Sequence, residues 1–225
     1  MNIKKGELHV WRYKVNEEDY IAEKKNPVLS IEEKERAVRF TNQIDSIRYI
    51  CNHRFMRKVL SGYLNIEPHK ISYEYGPFGK PFINEGINFN ISYRNKYGLL
   101  AISTGSEVGV DIEQEREIDD VLSYVSLYFS GNERAVILSE ENNNQINRIF
   151  FFWTLKEALI KAQGKFVSSD LGEIDLADSF YEQPFFFGND DKHLYELRNI
   201  CFKEEYIAAV AMQGKIGHYF EFDYV

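Results

Sequence analysis

The segment from about Ile149 to Gly164 places the strongest constraint on the fold of this chain. It contains three consecutive phenylalanines followed by Trp153, and apolar side chains continue up to Gly164, a typical helix stop signal. We predict a helix from about Ile149 that is apolar on almost every side. Because such a helix must be covered by other elements, any polar stripe on it either faces water or lines a cleft.

The rest of the chain supplies enough apolar material to cover such a helix. Of 225 residues, 44% are hydrophobic, 15% aromatic and 28% charged, which excludes wholesale disorder and allows one large domain or two small ones. The formal net charge of −8 argues against a protein that binds the nucleic-acid backbone.

Cysteine content and hydropathy indicate the compartment. The two cysteines form no CxxC pair and no disulfide framework, so neither a zinc site nor an exported disulfide scaffold is expected. No apolar block follows the first lysines, and the longest apolar runs are far shorter than the roughly 20 residues that cross a bilayer. We therefore expect a cytoplasmic protein that binds neither membrane nor nucleic acid.

Helical and strand patterns alternate along the chain, which predicts a mixed α and β fold. The capping boxes SIEE at 30–33 and SGNE at 130–133 each begin a helix, and apolar residues four apart predict a longer helix from Ile44. The polar run 140–147 is expected to be a surface loop. Alternating or apolar runs predict strands at 8–13, 71–75, 87–92, 98–103, 108–113, 185–187, 196–202 and 206–212.

Two carboxylates share one face of the strand predicted at 108–113. Alternation sends the valines and isoleucine to one side and Asp111 and Glu113 to the other, about 6.5–7 Å apart along the backbone. Two carboxylates at that separation can converge on one divalent cation, and their hard oxygens suit magnesium. The alternative is a strand whose polar face meets water.

A second polar group lies on the apolar helix. Glu157 and Lys161 are four residues apart and therefore share a helix face. They either line a cleft or form an ordinary stabilising pair on a solvated stripe.

A constrained turn occupies residues 75–81. Its two glycines allow the backbone to approach a ligand closely, and Lys80 can meet a phosphate as a point charge. The glycine spacing excludes a P-loop, and a tight hairpin connection explains the same residues.

Four motifs occur in a fixed order along the chain. They are GPFGKPF at 76–82, FNIS at 89–92, GVDIE at 109–113 and WTLKEALIKAQGKF at 153–166. Together they resemble the ordered signature of the phosphopantetheinyl transferases, in the larger type that activates surfactin synthetase and other peptide synthetases. SIEEKERAVRF at 30–40 extends the resemblance towards the N-terminus, whereas the last fifty residues resemble the family only in length and alternating strands.

The resemblance implies a fold and an activity. The fold would be two similar α/β subdomains in a pseudo-twofold arrangement, residues 1–105 with the coenzyme A contacts and 106–225 with the metal carboxylates and catalytic helix. The active site would lie between them. The activity would be magnesium-dependent transfer of the phosphopantetheine arm of coenzyme A to a serine of an apo acyl or peptidyl carrier protein, with release of adenosine bisphosphate. An internal pseudo-dimer favours a monomer.

The resemblance also implies roles for individual residues. Glu157 and Lys161 would be catalytic, with Glu157 the candidate general base, acting directly or through a metal-bound water, and Lys161 near the pyrophosphate. Arg36 would contact coenzyme A, and Lys34, which lies one helical step away, is the alternative to Arg36 in that role. By matching position, the metal carboxylates would be Asp111, Glu113 and Glu157, and the coenzyme A contacts Arg36, Lys80, Ser92 and Lys161, with Tyr93 at the position after FNIS.

Tyr93 departs from the family pattern. The family commonly has histidine there, in contact with a coenzyme A phosphate. A tyrosine hydroxyl is neutral at pH 7, so a charge-assisted contact is lost and affinity or rate is expected to fall. This keeps open a second interpretation, a coenzyme A or carrier-binding homologue with little or no turnover. A third is another magnesium-dependent phosphotransferase that uses a different nucleotide.

Recognition of the carrier cannot rely on long-range attraction. Carrier proteins are generally acidic and this chain is also net negative. Docking is therefore expected on a local apolar patch with a few cations. The candidates are the aromatic run before Trp153 and the segment 118–129, which is otherwise an ordinary amphipathic helix. Whether the carrier serves fatty-acid, polyketide or peptide synthesis is not encoded in these motifs.

Overall fold

Two four-stranded sheets form the centre of the molecule. The computed structural model describes residues 1–84, 86–165, 169–181, 183–188, 194–203 and 205–224, so Phe166 of the last motif lies outside the described residues. The strands are β1 Glu7–Lys14, β2 Glu74–Tyr75, β3 Pro81–Phe82, β4 Ile87–Arg94, β5 Tyr97–Thr104, β6 Val108–Gln114, β7 Phe185–Phe187, β8 Tyr195–Ile200, β9 Tyr206–Gln213 and β10 His218–Tyr224.

Helices cover the outer faces of the two sheets. Short 3-10 turns occupy Pro68–Lys70, Ser169–Glu173 and Ala177–Phe180. The α-helices are α1 Glu17–Lys25, α2 Ile31–Val38, α3 Gln43–Leu64, α4 Val121–Tyr128, α5 Gly131–Ser139 and α6 Asn142–Ala162. Among the described helices, none is both long enough and apolar enough to cross a bilayer.

The strand order divides the molecule into two similar units. The first sheet has the order β10-β1-β5-β4 and the second the order β6-β9-β8-β7, while β2 and β3 form a separate hairpin. Each sheet carries one long helix, α3 of 22 residues or α6 of 21 residues. The backbone N–H of Val110 on β6 donates to Asn90 Oδ1 on β4 at 2.9 Å, so the two units meet along these strands. The mixed α and β fold with two subdomains is confirmed.

Three apolar clusters hold the layers together. Strand alternation sends Trp11 and Tyr13 of β1 towards α3 and Leu8 and Val10 towards the second sheet. A third cluster fills the space between the second sheet and α6, where Phe152 and its neighbours are fully buried. The apolar helix is therefore covered as its sequence requires, and the layer order is α3, first sheet, second sheet, α6.

Helices extend further than the sequence patterns indicated. The polar run 140–147 was expected to be a loop, but α6 already begins at Asn142. Arg148 reaches back to Glu140 with its guanidinium 2.9 Å from the carboxylate, which supports the first turn. A packed helix extends through polar residues because each added residue gains a hydrogen bond without a new nucleation cost. Helix α1 also lies in a stretch in which no element was expected, capped by Asn16.

The strands differ from expectation at two places. The predicted strand 71–75 is a strand only at Glu74–Tyr75. The unpredicted β10 pairs in parallel with β1, with Glu7 opposite His218, so the end of the chain lies on the first sheet. The division at residue 105 stays a prediction, and residues 218–224 are placed with the first sheet although they follow the second in sequence.

Candidate functional site

A glycine allows the part of α6 that carries Glu157 and Lys161 to pack closely on β6. A Cβ atom at Gly109 would lie 2.1 Å from the carbonyl oxygen of Ala158 and 2.4 Å from the amide nitrogen of Ala162. Only glycine permits this approach, because real Cβ atoms do not come that close to backbone. Gly109, Asp111 and Glu113 share one face of β6, so the carboxylates of the strand point towards α6.

Asp111 is the centre of the resulting cluster. It is 4% exposed, its Oδ1 accepts a hydrogen bond from Ser92 Oγ on β4 at 2.9 Å, and the same oxygen lies 2.5 Å from Lys161 Nζ on α6. Lys161 Nζ also lies 3.4 Å from Ser92 Oγ. The cluster therefore joins a strand of the first sheet to a strand and a helix of the second.

The second carboxylate oxygen of Asp111 has no partner. Asp111 Oδ2 is buried and makes no hydrogen bond in the structure. A buried polar atom without a partner is costly, and native proteins leave few of them. This atom therefore marks a place where a bound group can supply the missing interaction.

Glu157 lies on the other side of the Lys161 ammonium group. Its Oε2 is 3.6 Å from Lys161 Nζ. Burial raises the pKa of Glu157 to about 7, with Asp111 and Glu113 adding to the increase and Lys161 opposing it. Burial alone would lower the pKa of Lys161, but Asp111 and Glu157 together raise it. At neutral pH the cluster thus holds a fixed positive charge between two carboxyl groups, one of which can exchange a proton.

Glu113 lies two residues further along β6 and faces a different pair of cations. Its Oε2 is 3.2 Å from Arg94 and 3.2 Å from Arg116. Burial raises the pKa of Glu113, as does the charge of Asp111, against the influence of these arginines. The structure thus brings Asp111, Glu113 and Glu157 into one electrostatic neighbourhood.

The side chains of the three predicted metal ligands do not converge on one position where an ion could bind. In the part of the chain that the structure describes, no group of three or more His, Cys, Asp or Glu side chains is arranged to hold a metal ion. Their chemistry nevertheless fits a hard cation, since Asp111 Oδ2 lacks a partner and Asp111 and Glu113 raise the pKa of Glu157. The metal set stays a prediction.

Lys80 is held by protein groups in this structure. Its ammonium group lies 2.8 Å from Glu107 and donates to the carbonyl oxygens of Val108 at 3.1 Å and Ala162 at 3.3 Å. It therefore ties the turn 75–81 to the start of β6 and the end of α6. Contact of Lys80 with coenzyme A stays a prediction and would require at least one of these bonds to be exchanged.

The remaining predicted contacts are Ser92 and Tyr93 on β4 and Arg36 on α2. Ser92 is buried and donates to Asp111, while Tyr93 follows it on β4. Burial raises the pKa of Tyr93, with the charge of Arg36 opposing the increase. Tyr93 therefore lies within electrostatic reach of Arg36, on α2.

Arg36 lines a cavity between α2 and α3, which we call the α2–α3 cavity. It has a volume of about 640 Å³, and its polar lining combines the cations Arg36 and Arg39 with the carboxylates Glu32, Glu33 and Glu35. Its aromatic lining includes Tyr49 and Tyr75, and the Arg36 guanidinium lies 5.6 Å from the centre of the Tyr49 ring. This position favours Arg36 over Lys34 as the cation of this region.

Sequence reasoning missed a buried ion pair next to Glu157. Lys156 is 1% exposed and Glu133 is fully buried, and their charged atoms lie 2.5 Å apart. Lys156 Nζ also donates to the carbonyl oxygens of Leu171 at 2.8 Å and Tyr128 at 3.1 Å. Burial raises the pKa of Glu133 and lowers that of Lys156, against their mutual attraction. The sequence contained one signal for this pair: Lys156 lies in a helix that is apolar on all sides, and a buried charge requires a buried partner.

The structure narrows the two docking expectations. Phe150 and Phe152 are fully buried and belong to the core, so of the aromatic run before Trp153 only the partly buried Phe151 remains a candidate for docking. Helix α4 lies within the other candidate segment, where Leu122 is 63% and Leu127 59% exposed.

Comparison with known proteins gives consistent matches along the chain. The sequence model of the 4′-phosphopantetheinyl transferase superfamily matches residues 107–211, and that of the 4′-phosphopantetheinyl transferase N-terminal region matches residues 17–105. The chain is similar to the 4′-phosphopantetheinyl transferase HetI of Nostoc sp., at 30% identity over 176 residues, which is 76% of this chain and 74% of HetI.

Two further relatives show the same similarity. The 4′-phosphopantetheinyl transferase gsp of Aneurinibacillus migulanus is 36% identical over 137 residues, 61% of this chain and 56% of gsp. The 4′-phosphopantetheinyl transferase Sfp of Bacillus subtilis is 27% identical over 150 residues, 66% of each chain. The matched region thus spans less than two thirds of the length of gsp.

Proposed function

Because the chain belongs to the 4′-phosphopantetheinyl transferase superfamily, in its larger surfactin-synthetase-activating type, we propose that it modifies carrier proteins. In this proposal the phosphopantetheine arm of coenzyme A moves to a serine of an apo acyl or peptidyl carrier protein. The serine oxygen forms the new bond to phosphorus, the bond within the pyrophosphate breaks, and adenosine bisphosphate leaves with the electron pair.

The observation that carries this proposal is the cluster around Asp111. It joins both sheets, holds Lys161 between the carboxyl groups of Asp111 and Glu157, and leaves Asp111 Oδ2 buried without a partner. Phosphoryl transfer is catalysed mainly by positioning and charge neutralisation. The fixed ammonium group of Lys161, next to the unpartnered Asp111 Oδ2 at the subdomain interface, supplies both the positioning and the charge neutralisation.

We propose magnesium as the required ion and Asp111, Glu113 and Glu157 as the residues that would hold it. Their oxygen donors suit a hard cation, and the unpartnered Asp111 Oδ2 fits a ligand role. When bound there, the ion would neutralise charge on the pyrophosphate and stabilise the leaving phosphate.

The protein's own residues have distinct roles in this proposal. Lys161 contributes a positive charge beside the pyrophosphate, and its contacts with Asp111 and Glu157 hold that charge in place. Glu157 accepts the serine proton at its carboxylate, since a pKa of about 7 suits a group that must take up a proton near neutral pH. Ser92 orients Asp111 through its hydrogen bond and, with Arg36, Lys80 and Tyr93, contributes to coenzyme A binding.

A second function is favoured by Tyr93. With a neutral hydroxyl in place of the family histidine, the chain could bind coenzyme A or a carrier and turn over poorly. One experiment separates the possibilities. The protein is incubated with coenzyme A, magnesium chloride and an apo carrier protein, and the carrier is weighed intact by mass spectrometry.

A mass gain of one phosphopantetheine arm, absent when the acceptor serine of the carrier is replaced by alanine, supports the transferase. Binding of coenzyme A by calorimetry without any mass gain supports the binding homologue. If the protein neither binds coenzyme A nor increases the mass of the carrier, both functions are contradicted, and a phosphotransferase that uses another nucleotide remains.

We propose that the carrier docks partly on α4. Its exposed Leu122 and Leu127 provide apolar contacts of the kind that a net-negative protein needs for an acidic partner. The cysteines Cys51 and Cys201 are both free, which supports a cytoplasmic location, and we propose that the protein acts as a monomer.

A further inference from the structure

The aromatic floor of the α2–α3 cavity rests on a histidine that no motif marks. The Tyr49 ring stacks on the imidazole of His53, with ring centres 3.9 Å apart and planes 29° apart. On its outer side Tyr49 carries the Arg36 guanidinium at 5.6 Å. A stack of three groups therefore runs from the exposed Arg36 through Tyr49 to His53, which lies behind it on α3.

His53 makes a second contact that anchors α2. Its Nδ1 lies 2.8 Å from Glu33 Oε1. Glu33 is almost completely buried, and its Oε2 accepts from Arg57 Nε at 2.6 Å and from the Ser30 amide at 2.8 Å. Burial by itself would raise the pKa of Glu33, but His53 and Arg57 lower it overall. An ionised Glu33 only accepts hydrogen bonds, so Nδ1–H of His53 is the donor.

The two contacts of His53 couple the floor and the wall of the cavity. Through its ring, His53 supports Tyr49 on α3, and through Nδ1 it holds the first turn of α2. Arg36 lies three residues after Glu33 and therefore on the same side of α2, one turn further. A shift of either contact would separate Arg36 from Tyr49.

We propose that His53 is a positioning residue for coenzyme A binding: it holds Tyr49 against Arg36 so that the Arg36 guanidinium is fixed at the wall of the α2–α3 cavity. This inference rests on the proposed function. Tyr49 is 2% exposed and lies against both His53 and Arg36, so its ring supports the guanidinium from inside the protein. The exposed guanidinium offers a forked donor that suits a phosphate. His53 acts from behind Tyr49, and the Asp111 cluster is built from other residues.

The test is a double-mutant cycle measured by calorimetry with coenzyme A. His53→Ala is expected to raise the Kd for coenzyme A about three- to tenfold, the range expected when a cation–π contact is displaced. In an Arg36→Ala background the same substitution is expected to change Kd less than about twofold, because its effect acts through Arg36. The kcat at saturating coenzyme A is expected to stay within about twofold of the wild type.

Conservative variants separate the two contacts of His53. His53→Phe keeps the stack on Tyr49 and loses the bond to Glu33, whereas His53→Asn keeps a polar group near Glu33 and loses the stack. Each is expected to weaken binding less than His53→Ala, and both remain available if the alanine variant does not fold.

Arg54→Lys provides the matched control. Arg54 is the next residue of α3 and also forms a buried ion pair, with Glu23 at 2.9 Å, on a side of the helix that does not line the cavity. Its Kd for coenzyme A is expected to be that of the wild type.

Two results would overturn the role of His53 without affecting the proposed function. One is an unchanged Kd for coenzyme A in folded His53→Ala, and the other is an equal loss of affinity in the wild-type and Arg36→Ala backgrounds. Wild-type protein that binds no coenzyme A would instead overturn the proposed function together with it.

Discussion

Replacement of Glu157 by glutamine is expected to stabilise the metal-free protein and abolish its activity. Glu157 is largely buried near Asp111 and Glu113, and its pKa is raised from 4.5 to about 7. Each pKa unit corresponds to about 1.4 kcal/mol, so ionising this group in the folded state costs on the order of 3 kcal/mol. Glutamine has nearly the same shape and carries no charge, so this cost disappears.

The sign of the pH dependence follows from proton binding. Below pH 4.5 the carboxyl is protonated in both folded and unfolded chains, and the substitution has little effect. Between pH 4.5 and about 7 the folded chain keeps a proton that the unfolded chain releases, so wild-type stability falls as the pH rises. Above pH 7 the whole cost is present, and Glu157→Gln should then be more stable than the wild type by on the order of 3 kcal/mol.

Thermal unfolding in EDTA checks this directly. For a chain of this size the expected gain in Tm at pH 8 is roughly 5–10 °C, and at pH 4.5 it is close to zero. Glu117→Gln, at an exposed position, is the matched control and should show no pH-dependent gain. The same Glu157→Gln protein should bind coenzyme A but transfer nothing to an apo carrier. Turnover by Glu157→Gln at the wild-type rate would refute the catalytic role of Glu157. An equal gain in Tm at pH 4.5 and at pH 8 would refute the electrostatic reasoning.

Three further predictions test other parts of the structure. Tyr93→His should lower the Kd for coenzyme A about fivefold at pH 6, because a protonated imidazole makes a charge-assisted contact with phosphate; unchanged calorimetric affinity would contradict our interpretation of that position. Gly109→Ala should destabilise the protein by about 3 kcal/mol in urea, because the new Cβ would lie 2.1 Å from a carbonyl oxygen of α6. Gly76→Ala is the control, because its new Cβ would lie 3.7 Å from the nearest atom. Equal losses of unfolding free energy in the two variants would mean that the close approach of α6 does not require glycine at position 109. Lys156→Met should cost about 3–5 kcal/mol in urea unfolding by leaving Glu133 buried and unpaired, and adding Glu133→Gln should restore most of the loss; a single-variant loss below about 1 kcal/mol would argue against the ion pair.

Local patterns predicted most individual elements because each depends on neighbours in the chain. The capping boxes at 30–33 and 130–133 both form as expected, and strand β6 alternates as its sequence predicts. The same alternation placed Asp111 and Glu113 on one face. Helix α1 and the first turns of α6 escaped prediction since their polar residues carry no periodic apolar signal, although caps and charge pairs stabilise them.

The composition of the site, in contrast, depends on contacts between distant parts of the chain. That Lys161 meets Asp111, fifty positions earlier, follows from the approach of α6 to Gly109. The pairing of Lys156 with Glu133 and the contact of His53 with Glu33 likewise join segments whose spacing contains no common period.

The amino-acid sequence by itself determined the mixed α and β character, the buried nature of α6 and the positions of the acidic and basic groups along strand and helix. Only the tertiary structure decided which of those groups share a low-dielectric environment, and therefore which carboxyl has its pKa raised. It also placed Phe150 and Phe152 of α6 in the core and brought β10 back to β1. The reason is physical: periodicity reports which way a side chain points, whereas partners and pKa values depend on what packs against it.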